Sequence, residues 1–130
     1  MDNFSKNTSR RRIYSIPTEF SEQKALVEWL NYKNIIFYHI PNGGYRNAKE
    51  GAKFSLIGVK PGVPDICIPH ARKPYHGIYL ELKRRMGGSV SKNQKEWIEK
   101  LWLEGYRCEV VKGWEEGVKA VEHYFMLERW

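Results

Sequence analysis

Apolar residues recur along the chain in segments with either helical or strand-like spacing. Helical spacing marks three segments, residues 19–32, 91–104 and the stretch that follows Gly113. Short runs rich in β-branched and aromatic residues predict four strands, at 35–40, 65–68, 78–83 and 107–111. Residues 45–56 are polar and basic and compatible with a further short helix. The predicted order is therefore α-β-β-β-α-β-α.

Residue types at the segment ends support these boundaries. Thr18 or Ser21 can cap the first helix. Ser91 and Gln94 have the spacing of a capping box, in which Gln94 bonds back to the Ser91 N–H. Gly105 is placed to end that helix in a left-handed conformation.

The connections predict the sheet topology. The third strand, the helix after it and the fourth strand form a βαβ unit, which requires parallel strands and a right-handed crossover. The first three strands are joined by loops and are expected to be antiparallel. The sequence therefore predicts an α/β fold with a mixed central sheet of about four strands, flanked by helices on both faces.

Composition indicates one folded domain with a basic surface. The chain has 130 residues, is 42% apolar and carries a net charge of +7, which favours a polyanionic partner, nucleic acid first. Residues 1–15, with Arg10-Arg11-Arg12, are predicted to be a basic flexible arm, and residues 16–130 a single domain. Neither a signal peptide nor a membrane-length apolar run is apparent, so we expect a cytoplasmic protein whose Cys67 and Cys108 are reduced and buried.

The strand at 78–83 carries charges where packing alone would favour Ile or Val. Because side chains alternate along a strand, Tyr79, Glu81 and Lys83 share one face. Asp65 begins the preceding strand. Two carboxylates that converge repel each other unless a cation or a proton lies between them. The pattern therefore predicts a divalent-cation site, with Lys83 beside it to serve a reacting water.

These and other polar residues also have interpretations that involve no catalysis. The alternative interpretation of Glu81 and Lys83 is a solvated ion pair, which Glu-x-Lys on a strand usually forms. Cys67, His70 and His76 lack a fourth ligand and a standard spacing, so a zinc site is not predicted. His39, at the end of the first strand, is expected to pack rather than to reach the site.

Three segments together resemble the virus-type replication-repair nuclease (VRR-Nuc) domain of the PD-(D/E)XK nuclease superfamily. They are Gly58-Val59-Lys60-Pro61-Gly62-Val63-Pro64-Asp65, Tyr79-Leu80-Glu81-Leu82-Lys83, and Ser91-x-x-Gln94-x-x-Trp97 with Leu101 and Gly105. The resemblance spans roughly residues 19–125 and implies a restriction-endonuclease-like core. It also implies that the chain is a stand-alone nuclease domain.

The resemblance assigns roles by position. It makes Asp65 and Glu81 direct ligands of Mg²⁺ or Mn²⁺, with the Leu82 carbonyl as a third. Lys83 would orient or help to deprotonate the attacking water. Glu22 would match the helical acid of the family, with Glu19 and Glu28 as alternatives, and Gln94 would lie near the active site.

The implied reaction is phosphodiester hydrolysis by a metal-dependent DNA endonuclease that leaves a 5′-phosphate. Small members of the family resemble homodimeric enzymes that act on branched DNA such as Holliday junctions, and the family label implies a phage source and a host-cytoplasmic location. Alternatives are a catalytically silent nucleic-acid-binding module and a structural protein. Candidate phosphate contacts are the basic residues that flank the site in sequence, Arg46, Lys49, Lys53, Lys60, Arg84 and Arg85.

Overall fold

The computed structural model describes residues 16–41 and 47–130. The predicted arm at 1–15 and the candidate DNA contact Arg46 lie outside these residues. The helices are α1 (Glu19–Tyr32), α2 (Ala48–Leu56), α3 (Lys92–Leu103) and α4 (Trp114–Phe125). The strands are β1 (Tyr38–His39), β2 (Ile66–Ile68), β3 (Ile78–Lys83) and β4 (Arg107–Lys112).

The four strands form one mixed sheet in the order β1-β2-β3-β4. β1 pairs with β2 and β2 with β3 in antiparallel fashion, whereas β3 and β4 are parallel. The predicted mixed sheet is thus confirmed, including the parallel βαβ unit. β3 lies inside the sheet, and five of its six residues are buried.

One face of the sheet is covered by α1 and α4. Ile78, Leu80 and Leu82 point to that face and are at most 2% exposed, and they pack with Leu26 of α1 and Val121 of α4 in one core cluster. Alternation along β3 then directs Tyr79, Glu81 and Lys83 to the opposite face. On that face Gln94 of α3 hydrogen-bonds to Glu81, so helices lie on both sides of the sheet.

Capping residues determine where helices α1 and α3 begin and where α3 ends. Thr18 Oγ1 accepts a hydrogen bond from Ser21 N at the start of α1. The capping box predicted for α3 is confirmed, since Ser91 Oγ accepts from Gln94 N and Gln94 Oε1 accepts from Ser91 N. Gly105 follows α3 with a φ of 91°, as expected for a left-handed terminator.

Two features differ from the predicted order. Residues 48–56 form a complete helix, α2, capped by Asn47 Oδ1, so the order is α-β-α-β-β-α-β-α. β1 is shorter than the predicted 35–40, because the N–H groups of Ile35 and Ile36 donate to Leu30 O and to His70 Nε2 instead of to a strand. The second difference depends on His70, 34 residues further along the chain, a contact that local sequence patterns do not indicate.

The two cysteines are free and buried, as predicted. Cys67 and Cys108 both lie opposite Tyr79, one on each neighbouring strand, so an intervening strand separates them. Within the described ranges, no helix is both long and apolar enough to cross a membrane.

Candidate active site

The strand register brings Asp65 and Glu81 together. β2 and β3 are paired Ile66 with Leu80 and Ile68 with Ile78. Continuing this register by one residue places Asp65 directly opposite Glu81, on the face away from the core. Fifteen residues separate the two along the chain, yet the antiparallel pairing makes them cross-strand neighbours.

The Asp65 carboxylate lies against the backbone of β3. Asp65 Oδ2 accepts a hydrogen bond from Leu82 N at 2.8 Å. On the other edge, Ile40 N donates to Asp65 O and His39 Nδ1 lies 2.8 Å from the same oxygen. The expectation that His39 packs is wrong, because its side chain is exposed and contacts the Asp65 backbone. Asp65 is thereby fixed from both sides.

Glu81 is almost fully buried, with 3% of its surface exposed. Its Oε1 accepts a hydrogen bond from Gln94 Nε2 at 2.8 Å and lies 3.5 Å from Lys83 Nζ. Its Oε2 is also buried, but no described residue donates a hydrogen bond to it. A buried carboxylate oxygen without a donor is costly, and a proton, a further donor or a cation would remove that cost.

Burial and mutual repulsion change how the two acids ionise. Burial, and then the charge of Asp65, raise the pKa of Glu81 to about 8, against the opposing effect of Lys83. Burial likewise raises the pKa of Asp65, although the Leu82 N–H bond opposes the shift. The pair therefore holds a proton more readily than isolated carboxylates do, and a cation could take the place of that proton.

Gln94 has two roles that support each other. Its Oε1 accepts from Ser91 N in the capping box, and this fixes which end of the amide faces the sheet. Only the Nε2 end is then left to meet Glu81, to which it donates. Gln94 thus takes part in the capping box of α3 and also orients the Glu81 carboxylate. The two interpretations of Gln94 given by the sequence, as a capping-box residue and as a residue near the active site, are compatible.

The Leu82 carbonyl belongs to the residue that follows Glu81 and whose N–H contacts Asp65. The same register that pairs Asp65 with Glu81 places Pro64 opposite Leu82. Proline has no N–H, so it cannot supply the ladder hydrogen bond to this carbonyl. The Pro-Asp dipeptide therefore does two things: it positions the Asp65 carboxylate and withholds a donor from the Leu82 oxygen.

The structure places Glu22 in an ion pair. Its side chain is 2% exposed, and Arg85 donates to both of its oxygens, Nε to Oε2 at 2.9 Å and Nη2 to Oε1 at 3.1 Å. Arg85 also bonds Glu115 at the start of α4. Glu19, one turn earlier on α1, is exposed, yet its charge contributes to the raised pKa of Asp65. Glu28 is exposed.

The candidate DNA contacts divide into two groups. Lys49, Lys53, Lys60 and Arg84 have exposed side chains. Arg85 instead has its guanidinium engaged by Glu22 and Glu115, which leaves less of its charge for a phosphate. The Glu22–Arg85 pair joins residues 63 positions apart, and no local pattern in the sequence marks either Arg85 or Glu115 as its partner.

The glycine-rich approach to Asp65 is fitted against α3. Gly62 has a φ of 92°, and a Cβ added there would lie 2.6 Å from the Asn93 carbonyl carbon. Asn93 immediately precedes Gln94 in the first turn of α3. The contact therefore sets the loop before Asp65 against the helix that orients Glu81.

We expect Gly62→Ala to destabilise the fold by about 1–3 kcal/mol from backbone strain alone, with a further loss from the Asn93 clash. Gly58→Ala is the matched control, because Gly58 also has a positive φ, of 98°, but an added Cβ there meets no atom within 4 Å among the described residues. Urea unfolding of both variants measures the difference. Equal losses would show that the close approach to Asn93 has no importance.

The chain can now be compared with known proteins. The VRR-NUC domain family model matches residues 18–115, which include every candidate site residue named above. The chain belongs to the VRR-NUC domain family. A solved structure of a VRR_NUC domain protein is similar to it, with a TM-score of 0.77 and 31% identity over 88% of this chain and 93% of that chain. A search of the curated proteins found no match.

The family match confirms the resemblance read from the three motifs. This VRR-NUC domain is thus a member of a nuclease-type family. Its four-stranded mixed sheet and flanking helices form the expected α/β nuclease core.

The site of this VRR-NUC domain fits a hard divalent cation. Two carboxylates and a backbone carbonyl are oxygen ligands, and Mg²⁺ is typically held by one or two carboxylates together with water and substrate phosphate. The buried Glu81 Oε2 is the atom that most needs such a partner. No cluster of three or more His, Cys, Asp or Glu side chains that could hold a metal occurs among residues 16–41 and 47–130, so the candidate site has two carboxylates as its acidic ligands.

Proposed function

We propose that this domain is a metal-dependent DNA endonuclease that hydrolyses phosphodiester bonds. The observation that carries the proposal is the convergence of Asp65 and Glu81, with Glu81 Oε2 buried and lacking a donor among the described residues. A purely structural pair of Glu81 and Lys83 would not require a second acid opposite it. Membership of a nuclease-type family supports the same conclusion.

Asp65, Glu81 and the Leu82 carbonyl would hold Mg²⁺ or Mn²⁺. When bound, such an ion polarises the scissile phosphate and lowers the pKa of a coordinated water. Gln94 keeps Glu81 in place through its hydrogen bond to Oε1. The Leu82 N–H performs the corresponding task for Asp65 Oδ2.

Lys83 would handle the water and the developing charge. It is 9% exposed and lies on the same face of β3 as Glu81, with Nζ 3.5 Å from Glu81 Oε1. An ammonium at this position can orient the attacking water and offset negative charge on the phosphate as the bond breaks. Glu22 would support the site from α1 through Arg85, which follows Lys83 by two residues.

The DNA backbone would lie along the exposed cations near the site. Lys60 precedes Asp65 on the glycine-rich loop, Arg84 follows β3, and Lys49 and Lys53 project from α2. Each contact to a phosphate releases a counterion, so the loss of one contact should weaken binding and reduce its salt dependence.

We also propose that the domain selects branched DNA, Holliday junctions included, and acts as a homodimer. Two copies related by a twofold axis would present two identical sites, which suits paired cuts across a junction. Apolar side chains remain on the surface for such a contact, among them Leu103, 80% exposed, and Met126, 80% exposed.

The function is tested with purified protein and labelled four-way, flap, single-stranded and duplex DNAs, in Mg²⁺, Mn²⁺ or EDTA. We expect cleavage that requires the metal, leaves 5′-phosphate ends and is strongest on branched DNA. Tight, salt-sensitive binding that ignores both metals and yields no product would instead identify a silent binding module. Analytical ultracentrifugation of the same protein measures whether it is a dimer.

A further inference from the structure

A cleft of about 390 Å³ opens beside the candidate active site. It is formed by the end of β1, the loop that leads to Asp65 and the side of α3. Its wall is mainly apolar and contains one indole and one cation, with Ile40, Ile57, Val59, Lys60, Val63 and Trp97 among its residues. We call it the Trp97 cleft.

The walls of the Trp97 cleft are joined to the candidate site through two neighbouring contacts. On one side, Ile40 N donates to Asp65 O at 2.7 Å. On the other, Trp97 lies one helical turn after Gln94, and Gln94 donates to Glu81 Oε1. The end of β1 and α3 therefore each form part of the cleft wall and also contact a residue of the candidate site.

The cleft combines an aromatic ring with nearby positive charge. Lys60 is exposed at its wall, and Lys100, which is not part of the wall, places its Nζ over the Trp97 ring, 5.5 Å from the ring centroid. Ile57, at the wall, is 77% exposed and adds apolar surface that is open to a ligand. Aromatic and apolar surface bordered by lysines is the composition with which proteins hold unpaired nucleotides, the base by stacking and the phosphate by charge.

We propose that the Trp97 cleft binds an unstacked nucleobase of the DNA substrate, next to the scissile phosphate. The inference rests on the proposed function in that the ligand is DNA. It adds a specificity element, because fully paired duplex keeps its bases stacked and has none to place in the cleft. DNA with unpaired bases at a branch, flap or single strand offers such a base at little cost.

The test measures binding by fluorescence anisotropy in EDTA, so that it does not depend on cleavage. The probes are a flap DNA with an unpaired strand and a fully paired duplex of the same length and sequence. We expect wild-type protein to prefer the flap DNA. Trp97→Leu should lower affinity for the flap about 10-fold, the effect of losing one stacked base, and leave affinity for the duplex unchanged.

Two further variants of tryptophan residues separate stacking from folding. Trp97→Phe keeps an aromatic face and should retain flap affinity to within about 3-fold. Trp102→Leu makes the same change as Trp97→Leu five residues further along α3, where the ring contacts Tyr75 and Arg107 rather than the cleft, and should change neither affinity. If Trp97→Leu fails to fold, Ile57→Asn serves instead, since Ile57 is exposed and its loss should still weaken flap binding selectively.

Four results would overturn the proposal. An equal loss on both DNAs would show that Trp97 only holds α3 in place, and Trp97→Phe behaving like Trp97→Leu would exclude stacking. If folded Trp97→Leu has unchanged affinity for the flap DNA, the cleft does not bind a nucleobase. Loss of a dimer in Trp97→Leu, measured by ultracentrifugation, would assign the cleft to a second copy of the chain. If any of these results occurs while metal-dependent cleavage is normal, only the proposal that the cleft binds a base is refuted. If flap DNA is bound selectively but never cleaved, only the proposed nuclease activity is refuted.

Discussion

Glu81→Gln is expected to abolish metal-dependent DNA cleavage, with a loss of at least about 10³-fold, comparable to the largest losses from removing one preorganised electrostatic group. The glutamine keeps the shape of the side chain and can still accept a hydrogen bond from Gln94 at its oxygen. It removes the charge at Oε2, which is the buried atom that lacks a donor among the described residues. The Glu81→Gln variant should therefore fold normally but not cleave DNA.

The measurement has two readouts. Cleavage of labelled branched DNA is followed with Mn²⁺, and the melting temperature is recorded with and without Mn²⁺. Wild-type protein should be stabilised by the ion, because a ligand that binds only the folded state raises its stability. Glu81→Gln should lose both the cleavage and the stabilisation.

Asp65→Asn should behave in the same way, since Asp65 is the acid opposite Glu81 in the sheet. Lys83→Met should lose cleavage but retain stabilisation by Mn²⁺, because Lys83 acts on water and phosphate and not as a ligand. Glu28→Gln is the matched control, an identical change at an exposed carboxylate of α1. Full activity in folded Glu81→Gln or Asp65→Asn would refute the assignment of the site.

The central part of the site was predictable because strands encode it directly. Alternation in β3 places Glu81 and Lys83 on the face opposite the core, and the break between β2 and β3 permits only an antiparallel return. With those two facts, an acid at the start of β2 is expected to lie near an acid towards the end of β3, and the observed register makes them direct neighbours. The dual use of Gln94 follows for a similar reason, since the capping box determines which end of its amide is free.

Other features depend on contacts between distant residues. The family resemblance implies Glu22 as the helical acid, and Glu22 is buried on α1, but its partner Arg85 comes from the loop after β3. No periodicity identifies such a partner. The truncation of β1 depends in the same way on His70, whose ring accepts the Ile36 N–H. The sequence pattern therefore did not predict polar contacts between residues that are far apart along the chain.

The second large effect expected is a loss of stability with rising pH in the absence of metal. The pKa of Glu81 is raised from an ordinary value of 4.5 to about 8 in the folded protein, by burial and by Asp65. Between these values the folded state keeps a proton that the unfolded chain has released. Folding then binds protons, so the free energy of unfolding must fall as the pH rises from about 4.5 to about 8.

Over the pH range 5 to 8 the expected loss is on the order of 3 kcal/mol, from 1.36 kcal/mol per pKa unit. Urea unfolding in EDTA at pH 5 and pH 8 measures it. Glu81→Gln cannot ionise, so its loss should be much smaller, and at pH 8 it should be more stable than wild type. Mn²⁺ should reverse that order, because the ion takes the place of the proton only where Glu81 is present.

The comparison with Glu81→Gln also removes the effect of other titrating groups. Burial lowers the pKa of His70, which makes stability rise with pH, but it does so equally in both proteins. The difference between the two pH dependences therefore isolates the acid pair. If wild type and Glu81→Gln lose stability in parallel, Glu81 ionises normally, and the site has no need of a cation to replace its proton.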